Sequence, residues 1–226
     1  MDHTILESYH ELIETKSKKK PTSTSSLTIQ SVANLPTKFG NFIVISFSPF
    51  SDGKEHFAIL KGDVTAQKDV LVRLHSECAT GDAIGSLRCD CRQQLEGSLK
   101  KIENEGLGVL LYLRQEGRGI GLLNKLKAYE LQDKGLNTVE ANIALGFNDD
   151  ERDYKVAALM IDSLKILSIR LMTNNPKKLQ ELEQYGIIIS ERVEHVFQAN
   201  EHNEFYLMTK ANESGHLMDS SKISQY

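Results

Sequence analysis

The chain has no surplus of positive charge, few cysteines and no long apolar run. Its 27 lysines and arginines are outnumbered by 31 aspartates and glutamates, giving a formal net charge of −4. Broad nucleic-acid or membrane-surface binding calls for a basic surplus, so neither partner is expected. A local basic pocket for a phosphorylated small molecule stays open. No apolar stretch approaches the ~20 residues of a membrane span. The start, "MDHTILESYHELIETK", lacks the charged and apolar regions of a signal peptide. These absences give the expectation of a cytoplasmic protein with reduced thiols. No internal repeat and no Gly/Pro/Ser linker interrupts the text from 28 to about 195, so one domain is expected there.

What is there begins with the cysteines. Cys78, Cys89 and Cys91 all fall in "HSECATGDAIGSLRCDC". An odd, clustered set in a reducing compartment points to metal or chemistry before disulfide. The spacing lacks the paired hooks of a structural zinc knuckle. Three thiolates leave the fourth tetrahedral position open for water or substrate, as catalytic zinc sites do. His75 as a fourth ligand in a structural site, or three unrelated buried thiols, are the alternatives.

Ile5, Leu6, Tyr9, Leu12 and Ile13 have helical spacing and precede the tract "KSKKKPTSTSS". Residues 1–27 are therefore expected as a mobile N-terminal extension without site chemistry. From residue 28, "FIVISF", "FAILKGD", "VLVRLHS", "VLLYL", "IRLMT" and "IIISERV" read as strands. "CRQQLEGSLKKIENEG", "GIGLLNKLKAYELQDKG", "DYKVAALMIDSL" and "PKKLQELEQYG" read as helices, with Gly106 and Gly135 as stops and Pro176 at a first turn. The alternation predicts an α/β fold, a mixed sheet with flanking helices. The domain is expected over 28–217, with a helical stretch in its tail and a frayed end over 218–226.

Three further segments carry polar groups. "VRLHSE" runs off a strand end with Arg73, His75, Ser76 and Glu77, where ligands of α/β proteins gather. "YLRQEGRGIGLLNK" places Gly117, Gly119 and Gly121, with Arg114 and Arg118, between a strand and a helix start suited to phosphate. It matches neither common phosphate-loop pattern, so a plain turn is the alternative. "LMTNNPKKLQEL" sets Thr173, Lys177 and Lys178 at another helix start, where lysines oppose the dipole unless an anion binds. Solvated surface lysines are the alternative there. In "FNDDERDYKVAALM", Asp149 or Asp150 reads as a helix cap.

Together, "HSECATGDAIGSLRCDC", "RQEGRGIGLLNKLKAYELQDKG", "TVEANIALGF", "DERDY" and "LMTNNPKK" closely resemble GTP cyclohydrolase II, in order, from about residue 28 to about 217. The resemblance implies hydrolysis of GTP to 2,5-diamino-6-ribosylamino-4(3H)-pyrimidinone 5′-phosphate, formate and pyrophosphate, the first step of riboflavin biosynthesis. It implies one zinc on Cys78, Cys89 and Cys91, whose water attacks guanine C8, and magnesium with the substrate. It implies GTP contacts from Arg73, Leu74, His75, Ser76, Glu77, Gln94, Glu116, Gly117, Arg118, Thr138, Thr173 and Lys178. Asp150 matches the family's proton acceptor, Tyr129 a tyrosine near the opening ring, and Arg152 a proposed nucleophile on the α-phosphorus. Arginine is hardly ever deprotonated, so a charge-stabilising Arg152 explains the same position. The resemblance further implies a homodimer. The fused synthase domain found in some members would need a further domain length of sequence, so a monofunctional chain is expected. A zinc-stabilised nucleotide-binding protein without catalysis is the competing reading.

Overall fold

The structure, a computed structural model, describes residues 5–10, 27–212, 215 and 217. Seven strands form one sheet: β1 (Thr28–Thr37), β2 (Gly40–Ser48), β3 (Phe57–Lys61), β4 (Val70–Ser76), β5 (Gly108–Leu113), β6 (Ile169–Met172) and β7 (Ile189–Val193). Across the sheet the order is β1-β2-β3-β5-β4-β6-β7. From β1 through β5 the neighbours are antiparallel, and from β5 through β7 they are parallel. Among the described residues from 27 on, six helices flank the sheet: α1 (Cys91–Glu105), α2 (Gly121–Gln132), α3 (Thr138–Ala144), α4 (Lys155–Ser163), α5 (Pro176–Gln184) and α6 (Glu204–Asn212). This is the expected α/β architecture.

The connections explain the split. Helix α1 joins β4 to β5 and α5 joins β6 to β7, and such crossovers return the chain parallel. Strands β4 and β5, "VLVRLHS" and "GVLLYL", are buried on both faces, as parallel strands under helices are. Apolar clusters lie on the two sides of the sheet, one around Leu60, Leu74, Leu111 and Met160, the other around Phe42, Ile102 and Leu110. The carboxyl ends of β4, β5 and β6 therefore converge at one edge, and the polar segments leave from there.

Helix ends follow the sequence. Gly106 closes α1 with φ 70°, and Asn175 caps α5, accepting from the Lys177 N–H, with Pro176 next to it. Helix α2 stops at Gln132, and Gly135, at φ 103°, lies in the turn beyond it. One expectation fails. Helix α4 begins at Lys155 after Tyr154, so neither Asp149 nor Asp150 caps it. Asp153 accepts from the Lys155 N–H at 2.7 Å instead, which frees the two earlier aspartates to pair with arginines.

Residues 5–10 are helical, and Tyr9 is fully buried against the domain. Its hydroxyl accepts from the Val64 N–H at 3.0 Å, and Ser8 donates to Asp63 at 3.3 Å. Residues 11–26 of the expected extension lie outside the described residues. Tyr9 lines neither of the cavities described below. Tyr9→Ala is thus expected to cost about 3 kcal/mol or more in urea unfolding, with the activity of the folded protein unchanged. Deleting residues 1–26 should do the same. A truncated, folded chain that loses turnover would tie this segment to the site.

Candidate active site

The chain after β4 turns at once into the cysteine loop. A π-type turn over Ala79–Ile84 follows Cys78 and ends at Gly85, φ 82°. Asp82 holds the turn: it accepts from the Cys78 N–H at 3.0 Å, the Tyr112 hydroxyl at 2.9 Å and His75 Nε2 at 2.9 Å. Arg92, on the first turn of α1, donates to the Gly81 and Asp82 carbonyls at 3.2 and 3.0 Å. Loop and helix are thereby clipped together, and Cys78, Cys89 and Cys91 meet.

Their sulfurs lie within 4.8 Å of one another. Two thiolates on a tetrahedral zinc, each bound at ~2.3 Å, sit roughly 3.8 Å apart; Cys78 and Cys89 are separated by 3.7 Å. The donor set and its spacing fit that ion. Left to themselves the sulfurs share one charge. Bonds from Cys89 and Cys91, helped by Lys125, hold the Cys78 thiol far below its usual range. The bond to Cys78 pushes Cys89 up to about 11, and Cys91 rises well above the usual range for the same reason. A bound cation is what lets all three ionise together. His75 is no part of the group: among the described residues only the cysteines form one, and its Nε2 faces Asp82.

Gly81 roofs the cluster. A Cβ there would lie 2.9 Å from Cys89 Sγ and 3.0 Å from Cys78 Sγ, closer than carbon and sulfur pack. Gly81→Ala is expected to fold yet bind zinc at least tenfold more weakly, read by chelator competition, since a ~1 Å displacement defeats a preorganised ligand set.

The sulfurs open into a cavity of about 710 Å³. A second cavity of about 670 Å³ adjoins it, and Ser76, Cys91, Arg118, Arg152 and Tyr206 line both. Glu77, Glu116, Gly117, Tyr129 and Thr138 line the cysteine side. Arg73, His75, Gln94, Thr173 and Lys178 line the other, which is therefore the basic one. Leu74 and Asp150 line neither. The Leu74 side chain is in the core, and its carbonyl accepts from Lys178 Nζ at 2.7 Å. Lys178 is only 5% exposed, which removes the solvated-lysine reading.

The glycine-rich turn supports the junction. Gly117 and Arg118 are both left-handed, with φ 61° and 57°. A Cβ on Gly119 would lie 3.1 Å from the Glu151 backbone carbon, so glycine lets this turn press on the 150–152 segment. There the Arg118 carbonyl accepts from the Glu151 N–H at 3.0 Å, and the Arg118 guanidinium pairs with Asp149. Lys177 donates to the Asp150 and Arg152 carbonyls at 3.2 and 3.0 Å.

Asp150 grips Arg152 by two parallel bonds, 2.8 Å from Nε and 2.6 Å from Nη2. Burial alone would raise the Asp150 carboxyl, but Arg152 outweighs it and brings it to about 2. Burial likewise opposes the Arg152 charge, yet Tyr154 and Asp150 hold the guanidinium above its ordinary range. Its remaining arm, Nη1, reaches Ser76 at 3.4 Å. Gln94 has both ends of its amide taken, by Arg73 and by Asp90. Glu77 accepts from Arg114 at 3.0 Å on the rim. Tyr129 faces the cysteine side with its hydroxyl 3.3 Å from Thr80 and Arg88 stacked over its ring at 4.8 Å.

The sequence reading missed Lys125, Arg88 and Tyr206. Lys125 stands four residues before Tyr129 on one helix, a spacing that puts both on one face. Tyr206 lies in α6, where nothing in the local pattern distinguishes it from a packing residue.

His195 anchors the chain that leads to α6. It is buried, and its Nε2 donates to the Gln94 carbonyl at 2.8 Å. Desolvation brings it to about 3, against ~6.5 unfolded. The neutral ring is therefore the folded form. Its contribution is complete above pH ~6.5 and is lost as pH falls toward 3. Acid unfolding followed by circular dichroism should show that loss, and His195→Gln, already less stable at neutral pH, should show a flatter pH dependence over the window. An equal slope in both proteins would assign the acid lability to other groups.

The chain matches the family model described as GTP cyclohydrolase II over residues 28–194. It is 53% identical over 193 residues to a GTP cyclohydrolase-2 of Aeromonas hydrophila, covering 85% of this chain and 98% of that one. It is 55% identical over 195 residues to a GTP cyclohydrolase-2 of Pseudomonas aeruginosa, covering 86% and 95%. A riboflavin biosynthesis protein RibBA of Synechocystis is 54% identical over 191 residues, 84% of this chain and 34% of that longer one.

Proposed function

The chain belongs to the GTP cyclohydrolase II family and has that family's activity in riboflavin biosynthesis; from this premise we propose that GTP lies across the two joined cavities, guanine toward the cysteines and phosphates toward the basic side. The observation that carries the reading is the shared wall. Arg118 and Arg152 face both cavities, so one molecule spanning them brings its α-phosphate to Arg152 and its base to the sulfurs.

Cys78, Cys89 and Cys91 would hold zinc, which when bound supplies the Lewis acidity that activates water for attack on C8. Tyr129, held by Thr80, stands where it can pass a proton to the opening ring. Ser76, Glu77, Gln94 and Thr138 orient the nucleotide, and His75, kept neutral by burial, offers a hydrogen-bond acceptor rather than a charge. Arg73, Arg118, Arg152 and Lys178, with the Thr173 turn, stabilise the phosphates, and magnesium enters with them. The bidentate Asp150 supports Arg152 as a fixed cation, not a nucleophile. A carboxylate ionised at this strength is a weak proton acceptor at neutral pH, so Asp150 serves to aim the guanidinium.

The site needs its thiols reduced, which suits a cytoplasmic setting. No helix among the described residues is long and apolar enough to cross a membrane. Leu122, Leu123 and Leu126 stand exposed along α2, with Ile143 exposed on α3, which supports burial in a homodimer; light scattering that finds a monomer at working concentration contradicts it.

Lys178→Ala and Arg118→Ala each remove a charge from the phosphate side. Each is expected to lower kcat/KM for GTP roughly ten- to a hundredfold, the ~1.5–3 kcal/mol of a charge-assisted contact. Steady-state formate release is the measurement, and unchanged values in both variants would put the triphosphate elsewhere.

A further inference from the structure

Lys125, in the middle of α2, is 9% exposed. Its ammonium has three protons, and three acceptors surround it. Glu116 Oε1 is at 2.7 Å, Thr80 Oγ1 at 3.0 Å and Cys78 Sγ at 3.1 Å. Glu116 is 8% exposed, and both of its oxygens accept hydrogen bonds. Its second oxygen accepts from the Ala79 N–H at 2.6 Å, and its first also accepts from the Gly117 N–H at 3.1 Å. The pair thus joins the cysteine loop, the glycine-rich turn and α2 at one point, on the wall of the cysteine cavity.

A buried ion pair is a poor stabiliser. Desolvation offsets most of its attraction, and a matched apolar pair often serves the fold as well. Something other than stability accounts for this one, and the third acceptor shows what. Three thiolates around a divalent ion leave one surplus negative charge in a buried place, and Lys125 sets a positive charge directly on one of the sulfurs. A hydrogen bond to a metal ligand fixes its orientation and tunes the metal.

We propose that Lys125 is a positioning residue of the metal centre: it fixes Cys78 and draws electron density from that sulfur, and Glu116 holds it in place. The proposal rests on the reading of the cysteines as a metal site. It also gives Glu116 a task besides contact with GTP, since both of its oxygens already accept from groups of the metal loop, the glycine-rich turn and Lys125. The metal loop and the glycine-rich turn then act as one unit, so a nucleotide seated on the turn bears on the sulfurs.

The test uses the full chain loaded with zinc or with cobalt(II), as wild type, Lys125→Met, Glu116→Gln and the double variant. Zinc release to a chromophoric chelator gives the affinity, and the thiolate-to-cobalt absorption band reports electron density on sulfur. Lys125→Met is expected to weaken zinc binding by about 10- to 100-fold and to move the cobalt band to longer wavelength, because the sulfur regains its density. It also leaves Glu116 as a buried uncompensated charge, so thermal stability falls. The double variant is expected to recover stability but neither the zinc affinity nor the band position. Glu116→Gln, which keeps the ammonium near Cys78, is expected to fall between wild type and Lys125→Met on both readouts. A double variant that recovers affinity and band together with stability, or a Lys125→Met protein with both unchanged, overturns the proposal and leaves the pair a brace of the fold. Wild type that takes up neither ion overturns the metal reading, and this proposal with it.

Discussion

Cys89→Ser is expected to stop formate release from GTP while pyrophosphate release continues. Cys89 lines only the cysteine cavity, whereas Cys91 lines both, so serine at 89 leaves the phosphate wall as it was. Serine nearly matches cysteine in size but binds zinc poorly at neutral pH, because its hydroxyl does not ionise there. Loss of a direct ligand should weaken zinc binding by more than the ~10–100-fold that loss of a supporting hydrogen bond costs. The variant then keeps Arg118, Arg152, Thr173 and Lys178 and lacks only the chemistry at C8. Its product is GMP. Zinc content, circular dichroism, formate and pyrophosphate from one preparation decide the matter. A folded, zinc-free Cys89→Ser protein that still releases formate would falsify the catalytic role of the cluster. One that releases neither product would show that the two halves of the reaction are coupled.

Arg152→Ala should act on the opposite end. The guanidinium lines both cavities and is held rigid by Asp150 through two bonds of 2.8 and 2.6 Å. A preorganised cation at a developing phosphoryl charge is worth ~10²–10³ in rate, and pyrophosphate release should fall by about that factor. Alanine also strands Asp150 as a buried charge, so Arg152→Lys and Asp150→Asn belong in the series. Lysine keeps the charge and should recover part of the rate; asparagine loosens the grip and should cost less than alanine. If Arg152 is a fixed cation, quenching a single turnover of GTP labelled at the α-phosphorus leaves no label on the protein. A phosphoramidate on Arg152 would establish it as the nucleophile instead.

Much of this site is legible in the sequence, for identifiable reasons. The cysteines announce themselves because three thiols in one short polar stretch have few other uses. Strand β5 is a continuous apolar run and β4 opens as one before its polar end, so their ends, where ligands gather, can be placed. Strand β1, "TIQSVANLPT", is not legible: half of its residues are exposed and it owes its form to pairing with β2, a tertiary effect that propensity does not carry. Helix α3 is only seven residues long, yet Asn137 and Glu140 form a capping box that was readable as Asn-x-x-Glu. The aspartates at 149 and 150 pass for caps because the competing partners, Arg118 and Arg152, reach them only in the fold. Lys125 is the same case. A lysine in an amphipathic helix looks solvated until Glu116 and Cys78 arrive from two other segments.

The most direct measurement is a single one. The full chain, purified with its zinc content determined, is given GTP and magnesium, and formate and pyrophosphate are quantified from the same sample with and without prior removal of zinc. The account predicts both products in equal amounts from the zinc-loaded chain, and pyrophosphate without formate from the stripped one. Formate release that is indifferent to zinc, or its absence from a folded, zinc-loaded chain supplied with GTP, would contradict it.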